Sequence, residues 1–287
     1  MIKKENKNKL SIEDINKAKQ NGFILTGLTG AGKTTLLNVL FNDEIGIVRK
    51  SAISVTTDST VYFYKNNSGN CFSIIDTPGL SDTSNNKEVE NNHLNSIRKA
   101  VKKDNIQIKG ILFLINFQKE RIDASEQEAL INYNQLFPLR RFWQNIIIIY
   151  THYFTCPEGD ELEDMKKERT ESNKEIFEII MEKVKGVSDV IKYEDLKIQY
   201  FNSFWPTKKE NQKKINEKVR TKLDIELSNL SKTEALFSKI EYVHIIDYPL
   251  KENGKEYLAE VDFIAFYDLK DKPIKTMQLK IKNKKRN

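Results

Sequence analysis

Gly27-Leu28-Thr29-Gly30-Ala31-Gly32-Lys33-Thr34 is a complete G-x-x-x-x-G-K-[ST] phosphate loop. The apolar run Phe23-Ile24-Leu25 stands directly in front of it, and Thr35-Leu36-Leu37-Asn38-Val39-Leu40 follows in a helical pattern. A strand, a glycine-rich turn and a helix in that order are what a bound polyphosphate requires. The glycines let the backbone wrap so that successive N–H groups converge, and the helix N-terminus adds the positive end of its dipole. The Lys33 ammonium can reach the β- and γ-phosphates, and the Thr34 hydroxyl can hold Mg²⁺. The stretch therefore predicts a nucleoside triphosphate ligand bound by Gly27, Leu28, Thr29, Gly30, Ala31, Gly32, Lys33, Thr34 and Thr35. The competing reading is a glycine-rich turn that matches the pattern by chance.

A second motif argues against chance. The run Phe72-Ser73-Ile74-Ile75 ends in Asp76-Thr77-Pro78-Gly79. An Asp at the tip of a buried strand can hold the Mg²⁺ shell, and the following Gly79 can place its N–H against a γ-phosphate. Taken alone, this tetrapeptide is also an ordinary strand-to-turn exit, since Pro and Gly are turn formers. Both motifs in this order and spacing favour a GTPase over a kinase or an ATPase.

Outward from these motifs the chain alternates between strand and helix patterns. Residues 43–60 show no periodicity and are rich in Ser and Thr, as a switch segment would be. Strands at 60–65 and 71–76 flank the turn Asn66-Asn67-Ser68-Gly69-Asn70 and predict a hairpin. Residues 86–103 form an amphipathic helix with His93 on or near its apolar face, a packed core histidine rather than a ligand. Ile111-Leu112-Phe113-Leu114-Ile115 is the continuous apolar run of a central parallel strand. Asp123-Ala124-Ser125-Glu126 has capping-box spacing for the next helix. Ile146 to Tyr150 is another buried strand ending at Thr151-His152, a charged helix spans about 161–185, and a last strand ends at Tyr200-Phe201-Asn202-Ser203. Alternation of this kind predicts an α/β fold: a P-loop NTPase G domain whose mostly parallel sheet is flanked by helices, with ligands at the carboxyl ends of the strands.

Beyond Pro206 the pattern changes. Residues 208–237 read as one or two charged helices, and 239–248, 257–267 and 274–282 as three strands separated by Asn253-Gly254 and Asp271-Lys272-Pro273 turns. The expected division is a basic lead-in over 1–20, a G domain over 21–206, and a C-terminal extension over 207–287 that is helical and then β-rich. A chain of 287 residues accommodates this, at roughly 150 residues per domain.

Composition excludes several classes. No apolar stretch approaches the length of a membrane span, and no signal-peptide core follows the basic opening Met1-Ile2-Lys3-Lys4, so a cytoplasmic protein is expected. Cys71 and Cys156 lack metal-ligand spacing and are expected to be reduced thiols with no catalytic part. The formal charge of +6 gathers partly in Lys280, Lys282, Lys284, Lys285 and Arg286. A solvated, disordered terminus is the expectation there, with peripheral contact to an anionic membrane left open. No aromatic interleaving points to nucleic acid, and none is expected as a partner.

With these pieces in place the chain resembles the AIG-type GTPases, a group that includes immune-associated GTPases and is related to the plastid-import Toc GTPases. The likeness runs over about residues 20–205. It rests on Gly27–Thr35, on Ser54-Val55-Thr56, and on Asp76-Thr77-Pro78-Gly79-Leu80-Ser81-Asp82-Thr83. Its most specific part is Phe113-Leu114-Ile115-Asn116 through Arg121-Ile122-Asp123 with Glu126 and Glu128, joined by Leu136-Phe137 and Phe142-Trp143 leading into Ile146–Thr151-His152.

The resemblance implies Mg²⁺ and GTP or GDP as ligands and a homodimer formed through the nucleotide face. It implies that Ser54 and Thr56 close on the nucleotide, with Thr56 the switch threonine that reaches Mg²⁺, although Thr57 is adjacent and stays open. The metal set is then Thr34, Thr56 and Asp76, the last through water. Base selection is the thinnest step, because the strand ends Thr151-His152-Tyr153-Phe154 with no acid to accept from guanine N1 and N2. The family pattern implies that His152 packs on the base plane and Asn202 meets its edge. Arg121 matches the family arginine at the dimer interface, so the catalytic set is Lys33, Thr56 and Arg121; a surface pairing of Arg121 with Glu126 or Glu128 is the alternative. Leu80 and Ser81 stand where Ras-like enzymes carry a water-orienting glutamine, which predicts slow hydrolysis.

Overall fold

Successive residues of the central strands face opposite sides of the sheet, and both sides are apolar, so the strands need helices on each face. The structure is a computed structural model that describes residues 10–43, 59–79, 87–118, 122, 124–136, 142–152, 160–184, 191–237, 239–252, 255–267 and 273–286. Six strands, β1 (Gly22–Gly27), β2 (Thr60–Lys65), β3 (Cys71–Asp76), β4 (Ile108–Asn116), β5 (Ile146–Thr151) and β6 (Lys197–Tyr200), form one sheet in the order β2-β3-β1-β4-β5-β6. Only β2 is antiparallel, hydrogen-bonded to β3 from Thr60 opposite Asp76 to Lys65 opposite Cys71, which is the hairpin read from the sequence. The fold is that of a P-loop GTPase domain with a C-terminal extension.

The helices are α1 (Ile12–Lys19), α2 (Lys33–Phe41), α3 (Lys87–Asp104), α4 (Ala124–Leu136), α5 (Asp160–Lys183) and α6 (Glu210–Ser231). One core joins Ile24, Ile111, Phe113, Ile115, Ile146 and Ile148 to Ile97 and Val101 of α3, Leu130 and Tyr133 of α4, and Phe177 and Ile180 of α5. The other joins the alternate residues Phe23, Leu25, Leu112, Leu114, Ile147 and Ile149 to Leu36 and Leu37 of α2 and to Val219, Leu223, Leu227 and Leu230 of α6. The charged segment after Pro206 is thus a single helix whose apolar stripe closes the second core of the nucleotide-binding sheet.

Two elements differ from the sequence reading. The stretch taken as a basic lead-in contains α1, which begins at a capping box in which Ser11 Oγ accepts from Asp14 N–H and Asp14 accepts from Ser11 N–H. It is tied to the hairpin by Lys65 Nζ at 2.9 Å from Asp14 Oδ1. The basic tail is not a loose terminus. It forms β9 (Pro273–Arg286), paired with β8 (Lys255–Tyr267), which also pairs with β7 (Lys239–Glu252). The ladder runs to Arg286 opposite Tyr257 and sets Ile281 opposite Val261. Ile281 lies opposite the buried Val261, and Lys282 Nζ lies 2.8 Å from the buried Asp262 Oδ2, so β8 supplies both an apolar and an acidic partner.

The three-stranded sheet is attached at the amino end of β4. Ile108 N–H donates to Phe237 O at 2.8 Å, and the Phe237 ring meets Phe266 edge to face at 5.5 Å. The nucleotide loop lies at the opposite end of the parallel strands, roughly 25 Å away at about 3.3 Å per residue along β4. Among the described residues no helix is long and apolar enough to cross a membrane.

Candidate nucleotide site

Five parallel neighbours, β3, β1, β4, β5 and β6, place their carboxyl ends along one edge of the sheet. The phosphate loop follows β1, Asp76 ends β3, Asn116 ends β4, His152 follows β5 and Asn202 follows β6. Parallel pairing therefore gathers residues that are as much as 175 positions apart, counting from Gly27 to Asn202, at one mouth.

Within the loop, Gly30 and Gly32 have φ of 82° and 88°, and α2 starts directly after Gly32. The Lys33 side chain turns back along the loop, and Nζ donates to Gly27 O and Leu28 O, both at 3.0 Å. Burial lowers its pKa to about 8 against the pull of Asp76. Asp76 is 4% exposed, and burial raises its carboxyl to about 6 against the pull of Lys33. Its Oδ1 has no hydrogen-bond partner among the described residues. A buried carboxylate oxygen left open, at the end of a strand beside a phosphate loop, is a donor set that suits a hydrated Mg²⁺. The Thr34 and Thr35 side chains are partly exposed at the start of α2.

The neighbouring turns press against this loop. Thr77 Oγ1 donates to Leu25 O at 2.9 Å, which fixes the exit from β3. A Cβ on Gly79 would lie 2.5 Å from Thr29 Oγ1, so only glycine allows the turn to approach the loop this closely. At Gly32 a Cβ would lie 3.0 Å from the His152 Cε1, and the positive φ there disfavours any other residue as well. His152 itself has φ of 61°. Thr151 Oγ1 lies 2.8 Å from Ala31 O and 2.9 Å from His152 Nδ1. Donation to Ala31 O leaves the hydroxyl to accept from Nδ1–H, which leaves Nε2 without the proton. Burial lowers the His152 pKa, so the ring is neutral at pH 7.

The structure thus brings together the loop residues, Asp76, Gly79, Thr151 and His152, and places Asn202 after β6 at the same edge of the sheet. Thr151 directs its hydroxyl to the loop backbone and so supports the loop. Ser54, Thr56 and Arg121 lie outside the described residues. Close to Arg121, Ile122 is buried and its N–H donates to Asn173 Oδ1 at 3.3 Å, while Asn173 Nδ2 donates to Tyr150 Oη at 2.6 Å. Glu126, which the sequence offers as a surface partner for Arg121, is 2% exposed and accepts from Asn116 N–H at 3.3 Å. Sequence reasoning missed Thr77 and Asn173. Thr77 stood inside a quoted motif, whereas Asn173 carries no local pattern.

A profile of the AIG1 family matches residues 21–195. No curated protein matches the chain. Among solved structures it is similar to a dimerization-deficient arginine-to-alanine mutant of Toc33 from Arabidopsis thaliana, at 20% identity over 78% of this chain and 92% of that one, with a TM-score of 0.55. It is similar also to Toc33 in complex with GDP and Mg²⁺, at 19% identity, 79% and 93% coverage and a TM-score of 0.53. A third similar structure, described as showing that dimerization is important for the GTPase activity of the chloroplast translocon components atToc33 and psToc159, has 19% identity, 78% and 91% coverage and a TM-score of 0.52. At these identities the likeness speaks for the fold.

Proposed function

The chain belongs to the AIG1 family, and from that premise we propose that it binds Mg-GTP, hydrolyses it slowly to GDP and switches by GTP-dependent dimerisation across the nucleotide face. The observation that carries the reading is the pairing of Lys33, folded over the loop carbonyls, with the buried and open Oδ1 of Asp76. Lys33 and the loop N–H groups hold the phosphates, Thr34 and Asp76 hold Mg²⁺, and Thr56 completes the metal set. When bound, the metal neutralises charge on the β- and γ-phosphates. The neutral His152 ring beside Gly32 suits stacking on a base, and Asn202 suits its edge. Guanine is preferred on the strength of family membership.

Support for dimerisation comes from the similar translocon structures, one of them described as showing that dimerization is important for GTPase activity. An arginine donated across the dimer would meet charge that develops on the transferred phosphoryl group. Such a contribution is worth about a thousandfold or more in rate. Leu80 and Ser81 at the glutamine position favour a second reading, a nucleotide-loaded scaffold with little turnover. Peripheral membrane contact through the basic residues of β9 belongs to that reading.

Single-turnover GTP hydrolysis over a range of protein concentrations separates the two. A rate that rises with concentration supports the dimer, and a flat, near-zero rate with tight GTP binding supports the scaffold.

A further inference from the structure

The loop that follows β6 carries two side chains whose polar atoms are left open. Asn202 Oδ1 and Ser203 Oγ are buried and have no hydrogen-bond partner among the described residues. Buried polar atoms of this kind are costly unless something completes them. The loop around them is held firmly. Phe201 is fully buried and its N–H donates to Tyr150 O at 2.8 Å, while Trp205 packs against the same apolar cluster as Phe201.

One side chain holds the backbone between those anchors. Asn216, on α6, accepts from Phe204 N–H at 3.0 Å and donates to Phe204 O at 2.8 Å and to Thr207 Oγ1 at 3.0 Å. It is 5% exposed. An amide that closes on both the N–H and the C=O of one residue fixes the two peptide groups on either side of it together, as a single hydrogen bond cannot. Its donors and acceptor are occupied by the loop, so Asn216 has little left with which to touch a ligand.

We propose that Asn216 is a positioning residue for base selection: by clamping Phe204 it holds Asn202 and Ser203 where their open atoms meet the edge of the purine base. The proposal rests on the reading above that the base lies between His152 and Asn202. Both Asn202 and Asn216 fall beyond the residues matched by the family profile, 21–195, so base selection in this chain depends on a segment that the profile does not cover. Without the clamp the loop can turn its open atoms toward water, and the base contacts weaken while the phosphate contacts, made by a different loop, persist.

The test uses the full chain with Mg²⁺ and measures dissociation constants for GDP, ADP and pyrophosphate by calorimetry. Asn216→Ala is expected to reduce the preference for GDP over ADP by about tenfold, the scale of one lost hydrogen bond, with pyrophosphate affinity unchanged. Asn202→Ala is expected to reduce the same preference. If Asn202→Ala lowers it and Asn216→Ala does not, the positioning role is overturned and the base reading stands. If neither variant changes it, the base reading fails and the proposal with it. Parallel weakening of GDP, ADP and pyrophosphate in Asn216→Ala overturns the proposal in favour of a general structural role. Should that variant not fold, Asn216→Asp carries the test, since it keeps an acceptor for Phe204 N–H and loses the donor to Phe204 O and Thr207 Oγ1: a preference lowered by about threefold supports the clamp, and an unchanged preference overturns it.

Discussion

Lys33 and Asp76 show how burial sets a site's demand for its ligand. A carboxyl whose folded pKa is raised to about 6 binds protons more tightly in the folded state, so its contribution to apo stability falls as pH rises from about 4 through 6. A lysine lowered to about 8 is the reverse case, in which the unfolded chain holds the proton longer, and stability recovers as pH rises from about 8 through 10.5. The pair is therefore least favourable to the empty protein between about pH 6 and 8, where both groups are charged and Mg²⁺ and polyphosphate would relieve them. Asp76→Asn should raise apo stability at pH 7 by about 1 to 2 kcal/mol, less than the full carboxyl shift implies because Lys33 loses its counter-charge. It should also flatten the decline between about pH 4 and 6. Urea titrations across that range check both, and an unchanged pH slope would show that Asp76 ionises freely. Lys33→Ala and Thr34→Asn should each weaken Mg-GTP binding by at least about tenfold, because a phosphate-facing charge or a metal-holding hydroxyl is lost. Unchanged calorimetric affinity in both variants contradicts the site.

At the scale of elements, α6 links stability to the nucleotide mouth. Val219, Leu223, Leu227 and Leu230 recur at helical spacing and fill the second core beside Leu36 and Leu37 of α2, the helix that begins at the phosphate loop. The same helix carries Asn216, so one element both closes the core and holds the loop after β6. Leu227 is fully buried, and Leu227→Ala should destabilise the protein by about 3 kcal/mol through lost burial and the cavity left behind. Chemical denaturation measures this, and a change under about 1 kcal/mol would mean that α6 is an appendage rather than part of the core. The tail illustrates a different balance. Clustered charge reads as a solvated terminus until the apolar residues between the lysines are given a partner strand, and β8 is that partner.

For the whole molecule, the architecture keeps the two ends of the sheet apart. The three-stranded extension is attached at the amino end of β4, and the phosphate loop, His152 and Asn202 lie at the carboxyl ends. Arg121→Ala should leave nucleotide affinity within about twofold while removing the rise of hydrolysis rate with protein concentration, because a charge acting on the transition state does not bind the ground state. Sedimentation of the GTP-loaded variant and single-turnover rates check this together. Parent-like dimerisation and hydrolysis would return Arg121 to the surface and favour the scaffold.

Much of the nucleotide mouth could be read from contiguous residues. A phosphate loop is built by its own glycines, lysine and threonine, and Asp76-Thr77-Pro78-Gly79 ends a strand whose apolar run announces it, so backbone geometry and chemistry are encoded within a few positions. The hairpin of β2 and β3 and the strands β4 and β5 follow from period and turn residues for the same reason. What the chain alone left undecided depends on which surfaces meet. The stripe on α6 announces a buried face and not its partner, Thr151 is polar at a strand end until the fold sets it 2.8 Å from Ala31 O, and Asn216 has no meaning until it faces Phe204. Glu126 looks like a surface acid in sequence, and only packing shows it buried and bonded to Asn116 N–H. Local backbone preferences act over a few residues, whereas burial and hydrogen-bond completion are settled by contacts between distant segments, and those exist only once the sheet and its two helical layers have closed.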